Sequence, residues 1–360
     1  MRENYFHSDA PLAGKGLPAG DAWTPARLAA RDLSILDEQI SLPVAVLSES
    51  ALRHNLAWMR EFTEAYGCRL APHGKTTMSP ALFRMQLDAG AWGITLATAP
   101  QTVAAHAHGV RRVLLANQLV GKGNFDLIAD LQTRDPDFWF ACVVDSADDV
   151  AALGGHFGTR GQRIRVLLEI GAHGGRTGVR DEAQARAVLD EIARWPDAVA
   201  LVGVEVYEGV VKDEAGVRAL LRRTLAQWQA IHAANPVAQR MGRGLLPALR
   251  LWACVQSRPE PDRAIIGLGK RDAAFDAGFP QPVLHHRPGD AVPADAPSHW
   301  RVGAMMDQHA FLQIEAGDDL KVGDLLCFDI SHPCLTFDKW RHLLVVDDAH
   351  RVVGAVETHF

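Results

Sequence analysis

Six short apolar runs recur between residues 69 and 206, each followed by a stretch of helical periodicity, and this alternation leaves few folds open. The runs are Arg69–Ala71, Gly93–Leu96, Arg112–Ala116, Trp139–Val144, Ile164–Ile170 and Leu201–Val206. Helical patterns follow at 79–90, 99–108, 122–132, 146–155 and 181–194, with an earlier one at 50–65 and a later one at 214–233. Continuous apolar strands alternating with helices predict an α/β fold built on a parallel sheet buried on both faces. Six such units in succession favour a (β/α) barrel over a doubly wound sheet, and residues able to do chemistry stand at strand C-terminal ends, where barrel active sites lie. After about 246 the texture changes to short apolar runs joined by Gly, Asp and Pro turns, which predicts a mostly-β second domain. Residues 1–40 are rich in Gly, Pro and Ala and read as an arm or a packed extension. The expected division is 1–40, 41–245 and 246–360.

The chain is large enough for this: 360 residues, 48% hydrophobic, can bury a sizeable core. Its 37 basic and 43 acidic residues are spread along the chain, so no basic block points to nucleic acid. No run of about 18 apolar residues suggests a membrane span. The opening residues MRENYFHSDAPLAGKG hold no apolar signal core. Five scattered cysteines, an odd number, argue against a secreted disulfide framework and for a reducing cytoplasm.

Chemistry is first suggested by Pro72-His73-Gly74-Lys75-Thr76, straight after an apolar run. A barrel places this lysine at its mouth, where an amine can form a Schiff base with an aldehyde cofactor and then serve as a base. A lone lysine in a turn is more often a surface residue, and only its neighbours shift that balance. The second suggestion is His332-Pro333-Cys334. Residues i and i+2 on a strand point to one face, and an N,S ligand pair suits Zn²⁺ while leaving positions for water and substrate. A buried Cys beside a satisfied core His is the bland alternative; Lys75 in the same chain favours the metal. His73, His173 and His309 are candidate acid/base or orienting groups, and Asn117 is a weaker one. Gly267-Leu268-Gly269-Lys270 lacks the spacing of a phosphate loop and reads as a turn of the β domain.

Together these motifs resemble those of the D-serine dehydratase and D-threonine aldolase family. PHGKTTMSP (72–80) resembles its cofactor-lysine motif, and Glu169–Gly178 its segment that places an arginine, here Arg176, beside the cofactor ring. Val204–Gly209 resembles the segment whose tyrosine, here Tyr207, lies near the cofactor; Met306–Ala310 resembles the acidic-x-His element at the substrate. Ile330–Cys334 resembles the metal-binding His-x-Cys element of the dehydratases, where aldolases tend to carry Asp in place of Cys. The likeness runs over about 43–235 and 246–360.

The resemblance implies an alanine-racemase-like barrel followed by a β domain, with pyridoxal 5'-phosphate (PLP) and Zn²⁺ or another divalent metal. Lys75 and His309 are then catalytic, Lys75, His73, Arg176 and Tyr207 hold the cofactor, and His332 and Cys334 hold the metal. Beside the ring, Arg176 could face the pyridine nitrogen or the phenolate, and Tyr207 could abut PLP or pack in the core. The implied activity is elimination from a D-3-hydroxy amino acid, giving a keto acid and ammonia. D-threonine aldolase-type cleavage is the near alternative; a racemase would not need the metal pair. The expected partner is a small-molecule D-amino acid, and a homodimer is entertained without a sequence signal for it.

One stretch departs from the family pattern. There the barrel continues with two further strands, the seventh ending in a Gly-rich turn whose N–H groups hold the phosphate. Between Ile231 and Leu251 no such turn is legible, and the stretch is short beside the about 40 residues that another unit with its strand needs, judging from a βαβ unit. The sequence therefore predicts an open or incomplete barrel. Losing two charge-assisted hydrogen bonds at roughly 1.5–3 kcal/mol apiece would weaken PLP binding by about two to four powers of ten. A degenerate, non-catalytic family member is accordingly the reading from another class.

Overall fold

The computed structural model describes residues 5–20, 22–231 and 246–360. They form two compact units that interleave along the chain: Met1–Cys68, Thr76–Gly90 and Met241–Phe360 make one, Arg69–Lys75 and Ala91–Arg240 the other. The first unit begins with helix α1 (Pro25–Ala29), strand β1 (Val44–Ser48), and helices α2 (Glu49–Tyr66) and α3 (Pro80–Asp88). The boundaries follow local chemistry. Ser48 caps α2 by accepting from Ala51 N, and Gly67, at φ 62°, ends it in the left-handed region. Leu28, Ile35 and Ile40 are buried, so the N-terminal stretch is a packed extension.

The second unit holds the parallel sheet. Strands β2 (Ile94–Leu96), β3 (Arg112–Gln118), β4 (Trp139–Val144), β5 (Ile164–Ile170) and β6 (Val199–Val206) lie side by side in that order. Helices α4 (Ala99–Ala107), α5 (Lys122–Arg134), α6 (Ala147–Thr159), α7 (Glu182–Arg194) and α8 (Glu214–Ile231) follow them in turn. This is the expected alanine-racemase-like architecture, with one correction: five of the six anticipated strands form, and the first, 69–71, does not. Its place beside β2 is kept by single bonds, Trp92 N to Leu70 O (2.7 Å) and Thr95 N to Pro72 O (2.9 Å), and by a lone parallel bridge between His73 and Thr95. Pro72 has no N–H to give, so a full ladder cannot develop there. The 231–251 stretch, in which no phosphate turn is legible, falls at 232–245 outside the described residues.

The rest of the first unit is the expected mostly-β domain. Strands β7 (Leu249–Glu260), β8 (Arg263–Ile266), β9 (Gln281–His286), β10 (Ala294–Asp295), β11 (Arg301–Met305), β12 (Ala310–Gln313), β13 (Leu325–Asp329), β14 (His342–Val346) and β15 (Val352–Glu357) join β1 in one ten-stranded sheet. β1 runs antiparallel to β7 and parallel to β14, and so carries residues 44–48 into the middle of the C-terminal sheet. Alternate residues serve opposite faces. Val44, Val46, Trp252 and Leu344 enter one apolar cluster, and Ala45, Leu47, Leu251 and Leu343 the other. The texture of the sequence, which breaks once near 246, does not show this interleaving. Among the described residues no helix is long and apolar enough to cross a membrane.

A second correction concerns His332 and Cys334. They do not lie on a strand: β13 ends at Asp329, and the short helix α9 (Pro333–Phe337) follows with His332 as its N-cap residue. Proline explains the difference, since its fixed φ suits the first helical position and its missing N–H spoils a strand.

Candidate active site

In the parallel-sheet unit, Lys75 sits half-buried in the one-turn 3-10 helix Gly74–Thr76, past the bridge at the edge of β2. His73 Nδ1 donates to Thr95 O at 3.1 Å, because a carbonyl can only accept, and this leaves Nε2 with its lone pair. His73 is exposed by surface area, yet enough protein surrounds its ring to cost it solvation. Loss of solvation, and then the Lys75 ammonium and Arg176 guanidinium, lower its pKa to about 4. Lys75, His73 and Arg176 therefore share one electrostatic neighbourhood, in which His73 feels two positive charges.

Arg176 is an exposed side chain of the loop between β5 and α7, and that loop is braced from several sides. Gly178 N donates to Asp145 Oδ2 at 2.6 Å, and Val179 N to Glu169 O at 2.8 Å. Arg180 donates to the carbonyls of Gly175, Thr177 and Gly178; Arg223 donates to those of Gly171, Val179 and Arg180. The buried Glu169 accepts from the Thr177 hydroxyl and, at 2.7 Å, from Gln118 Nε2. Across the β5–β6 ladder Glu169 pairs with Glu205. Burial, and secondarily the Glu169 carboxylate, push the Glu205 pKa up to about 7, against the pull of Arg176. Tyr207, 59% exposed, lines a small hollow together with Arg176 and is no core residue. Asn117 donates to Ala97 O at 2.9 Å, a structural bond between strand ends, and His173 is exposed.

His309, His332 and Cys334 belong to the other unit. His309 stands in the tight β11–β12 turn, where Met306 N donates to His309 O at 2.8 Å. The Gly267–Lys270 turn backs that hairpin: Lys270 N donates to Met306 O at 2.9 Å and Arg271 N to Asp307 O at 3.0 Å. A Cβ on Gly269 would meet Asp307 O at 2.4 Å, so only glycine allows this approach. His332 Nδ1 donates to Asp276 Oδ2 at 2.7 Å, a bond that holds the Asp276 carboxyl below the usual range. Cys334 Sγ lies 3.2 Å from Thr76 Oγ1. An imidazole with a free Nε2 and a half-buried thiol are donors fit for a zinc-like cation. Among the described residues no group of three or more His, Cys, Asp or Glu could hold a metal.

The motifs assigned no role to five residues that shape these surroundings. Glu169 and Glu205 leave a trace, as charges inside apolar runs. Asp276, Arg180 and Arg223 leave none, since their partners are set by tertiary folding.

Comparison with known proteins agrees with this architecture. Residues 47–241 match the family model "Alanine racemase, N-terminal domain", and residues 248–346 the "Putative serine dehydratase domain". The chain is 23% identical over 357 residues to a D-threonine aldolase of Arthrobacter sp, covering 86% of this chain and 90% of that protein. It is 31% identical over 140 residues to the D-threo-3-hydroxyaspartate dehydratase of Delftia sp. (strain HT23), covering 39% and 36% of the two chains. Among solved structures, the D-threonine aldolase of Filomicrobium marinum superposes with a TM-score of 0.76 at 22% identity, covering 93% of this chain and 98% of that one, a likeness of fold.

Proposed function

Because this chain belongs to the family that carries an alanine racemase N-terminal domain, joined here to a serine dehydratase domain, we propose that it is a PLP- and metal-dependent lyase of D-3-hydroxy amino acids. The observation that carries this reading is the positive neighbourhood around Lys75. Burial first, and then the Lys75 amine and the Arg176 guanidinium, lower the His73 pKa to about 4, and two cationic groups beside one another suit an anionic aldehyde cofactor. PLP, when bound, supplies an electron sink for the bonds at the substrate α-carbon, and a divalent cation supplies a Lewis acid for its β-hydroxyl.

The chain's own groups have these roles in the proposal. Lys75 would hold PLP through its amine, and the same amine would serve as the base for the substrate α-proton. His73, neutral at physiological pH, presents Nε2 as an acceptor beside it. Arg176 would offset negative charge on the cofactor, on a loop whose bracing spares it reorganisation. Tyr207 offers a ring face in the same hollow. Glu205, titrating near neutrality within reach of the Arg176 charge, can hold or release a proton. His332 Nε2 and Cys334 Sγ would hold the cation, and His309 would serve the substrate. Loss of water gives an enamine, and its hydrolysis gives a keto acid and ammonia.

Cys334, through its resemblance to the dehydratase element, favours elimination. The full-length likeness to a D-threonine aldolase favours Cα–Cβ cleavage as the second reading. A panel of D-serine, D-threonine and D-threo-3-hydroxyaspartate, assayed with PLP and Zn²⁺ supplied, separates them. Keto acid and ammonia are expected; glycine with an aldehyde would make the chain an aldolase. No turnover, with no PLP absorbance retained after gel filtration, would mark a non-catalytic member.

A further inference from the structure

The turn that follows β8 wraps the segment bearing His332 and Cys334. Ala274 N donates to Thr336 Oγ1 at 3.1 Å, and Thr336 Oγ1 donates in turn to His332 O at 3.1 Å. Trp340 Nε1 donates to Asp272 O at 2.8 Å, and Ser331 Oγ to Gly278 O at 2.6 Å. These bonds fix residues 272–278 against 331–340 on both sides of Asp276. Its carboxylate is thereby presented to the His332 ring, 2.7 Å from Nδ1.

We propose that Asp276 is a positioning residue that commits His332 Nδ1 as the protonated nitrogen and so turns Nε2 toward a divalent cation. An ionised carboxylate only accepts, which dictates the tautomer. A histidine that ligates a metal through one nitrogen commonly donates the other N–H to a carboxylate, which fixes the ring and raises its basicity. Stability does not explain the pair. Its side chains are 38% and 45% exposed, and exposed pairs of this kind contribute little to folding. Asp276 is also no direct ligand in this arrangement, since it forms no metal-binding trio with His332 and Cys334.

The inference rests on the metal reading above, and its test keeps the two apart. Zn²⁺ affinity is measured by competition with a chromophoric chelator in wild-type protein, Asp276→Ala and Asp276→Asn, with thermal melts alongside. Wild type should bind one equivalent. D276A should bind about 10- to 100-fold more weakly at an unchanged melting temperature. D276N, whose amide oxygen still accepts from Nδ1, should fall between them. D276A affinity within twofold of wild type overturns the role of Asp276 and leaves the metal reading standing. Absence of Zn²⁺ binding in wild type overturns both. Should D276A not fold, ¹⁵N shifts of the metal-free wild-type ring decide: the Nδ1–H tautomer supports the proposal and the Nε2–H tautomer sinks it.

Discussion

At the residue scale, two titrating groups that both feel the Arg176 charge are shifted in opposite directions. Glu205 has its pKa raised from 4.5 to about 7, first by burial. The folded chain therefore binds a proton that the unfolded chain has already lost between those values. Stability from this group is present below about 4.5 and is lost as pH rises through about 7. Glu205→Gln should stabilise the protein at pH 8 by ~1–3 kcal/mol, given 1.36 kcal/mol per pKa unit and allowing for partial exposure, with no gain at pH 4. Urea denaturation at the two pH values checks this; equal gains at both would show that Glu205 does not titrate as described. His73 runs the other way: lowered to about 4, it stays neutral in the fold and opposes stability only as pH falls. Motifs singled out Lys75, Arg176, His332 and Cys334 as candidates, and the structure places Lys75 and Arg176 in one electrostatic neighbourhood with His73. Asp276 was invisible, because its histidine lies 56 positions away and only the folded turn joins them.

At the element scale, prolines account for what the sequence pattern misjudged. Apolar runs predicted both the 69–71 strand and a strand through His332, and in each case a proline withholds an N–H that the ladder requires. The five central strands and the helices between them, free of that conflict, appear close to their expected bounds. The loop carrying Arg176 is the element whose integrity matters most to the proposed cofactor contact. Gly178 sits there at φ 92°, and a Cβ would meet Gly171 N at 2.4 Å. Gly178→Ala should cost more than about 1 kcal/mol, since alanine suits neither the φ nor the space. PLP binding should weaken with it, because Arg176 loses its fixed support. Chemical denaturation and a PLP absorbance titration measure the two effects. Unchanged values in both would mean that the loop tolerates rearrangement.

At the scale of the whole molecule, the fold class and the change of texture near 246 were legible, but the path of the chain was not. Periodicity reports which residues are buried, not which strand lies beside which, and β1 reads the same in either sheet. Its place between β7 and β14 predicts that residues 246–360 do not fold alone, since both neighbours would expose unpaired backbone and apolar faces. Far-UV circular dichroism of that fragment should show disorder or aggregation. A cooperative melt would show instead that β1 is dispensable.

The same path bears on heredity. The seven residues from Arg69 to Lys75 belong to one compact unit, while the chain on either side of them belongs to the other. A recombination crossover near 246 would pass on a sheet without one of its inner strands, one near 68 would split the unit that holds β1, and one near 76 would part Lys75 from the rest of its unit. Such a gene has no junction at which halves trade cleanly. Its descendants would diversify by changing side chains in place, which leaves substrate preference to single positions around a fixed scaffold.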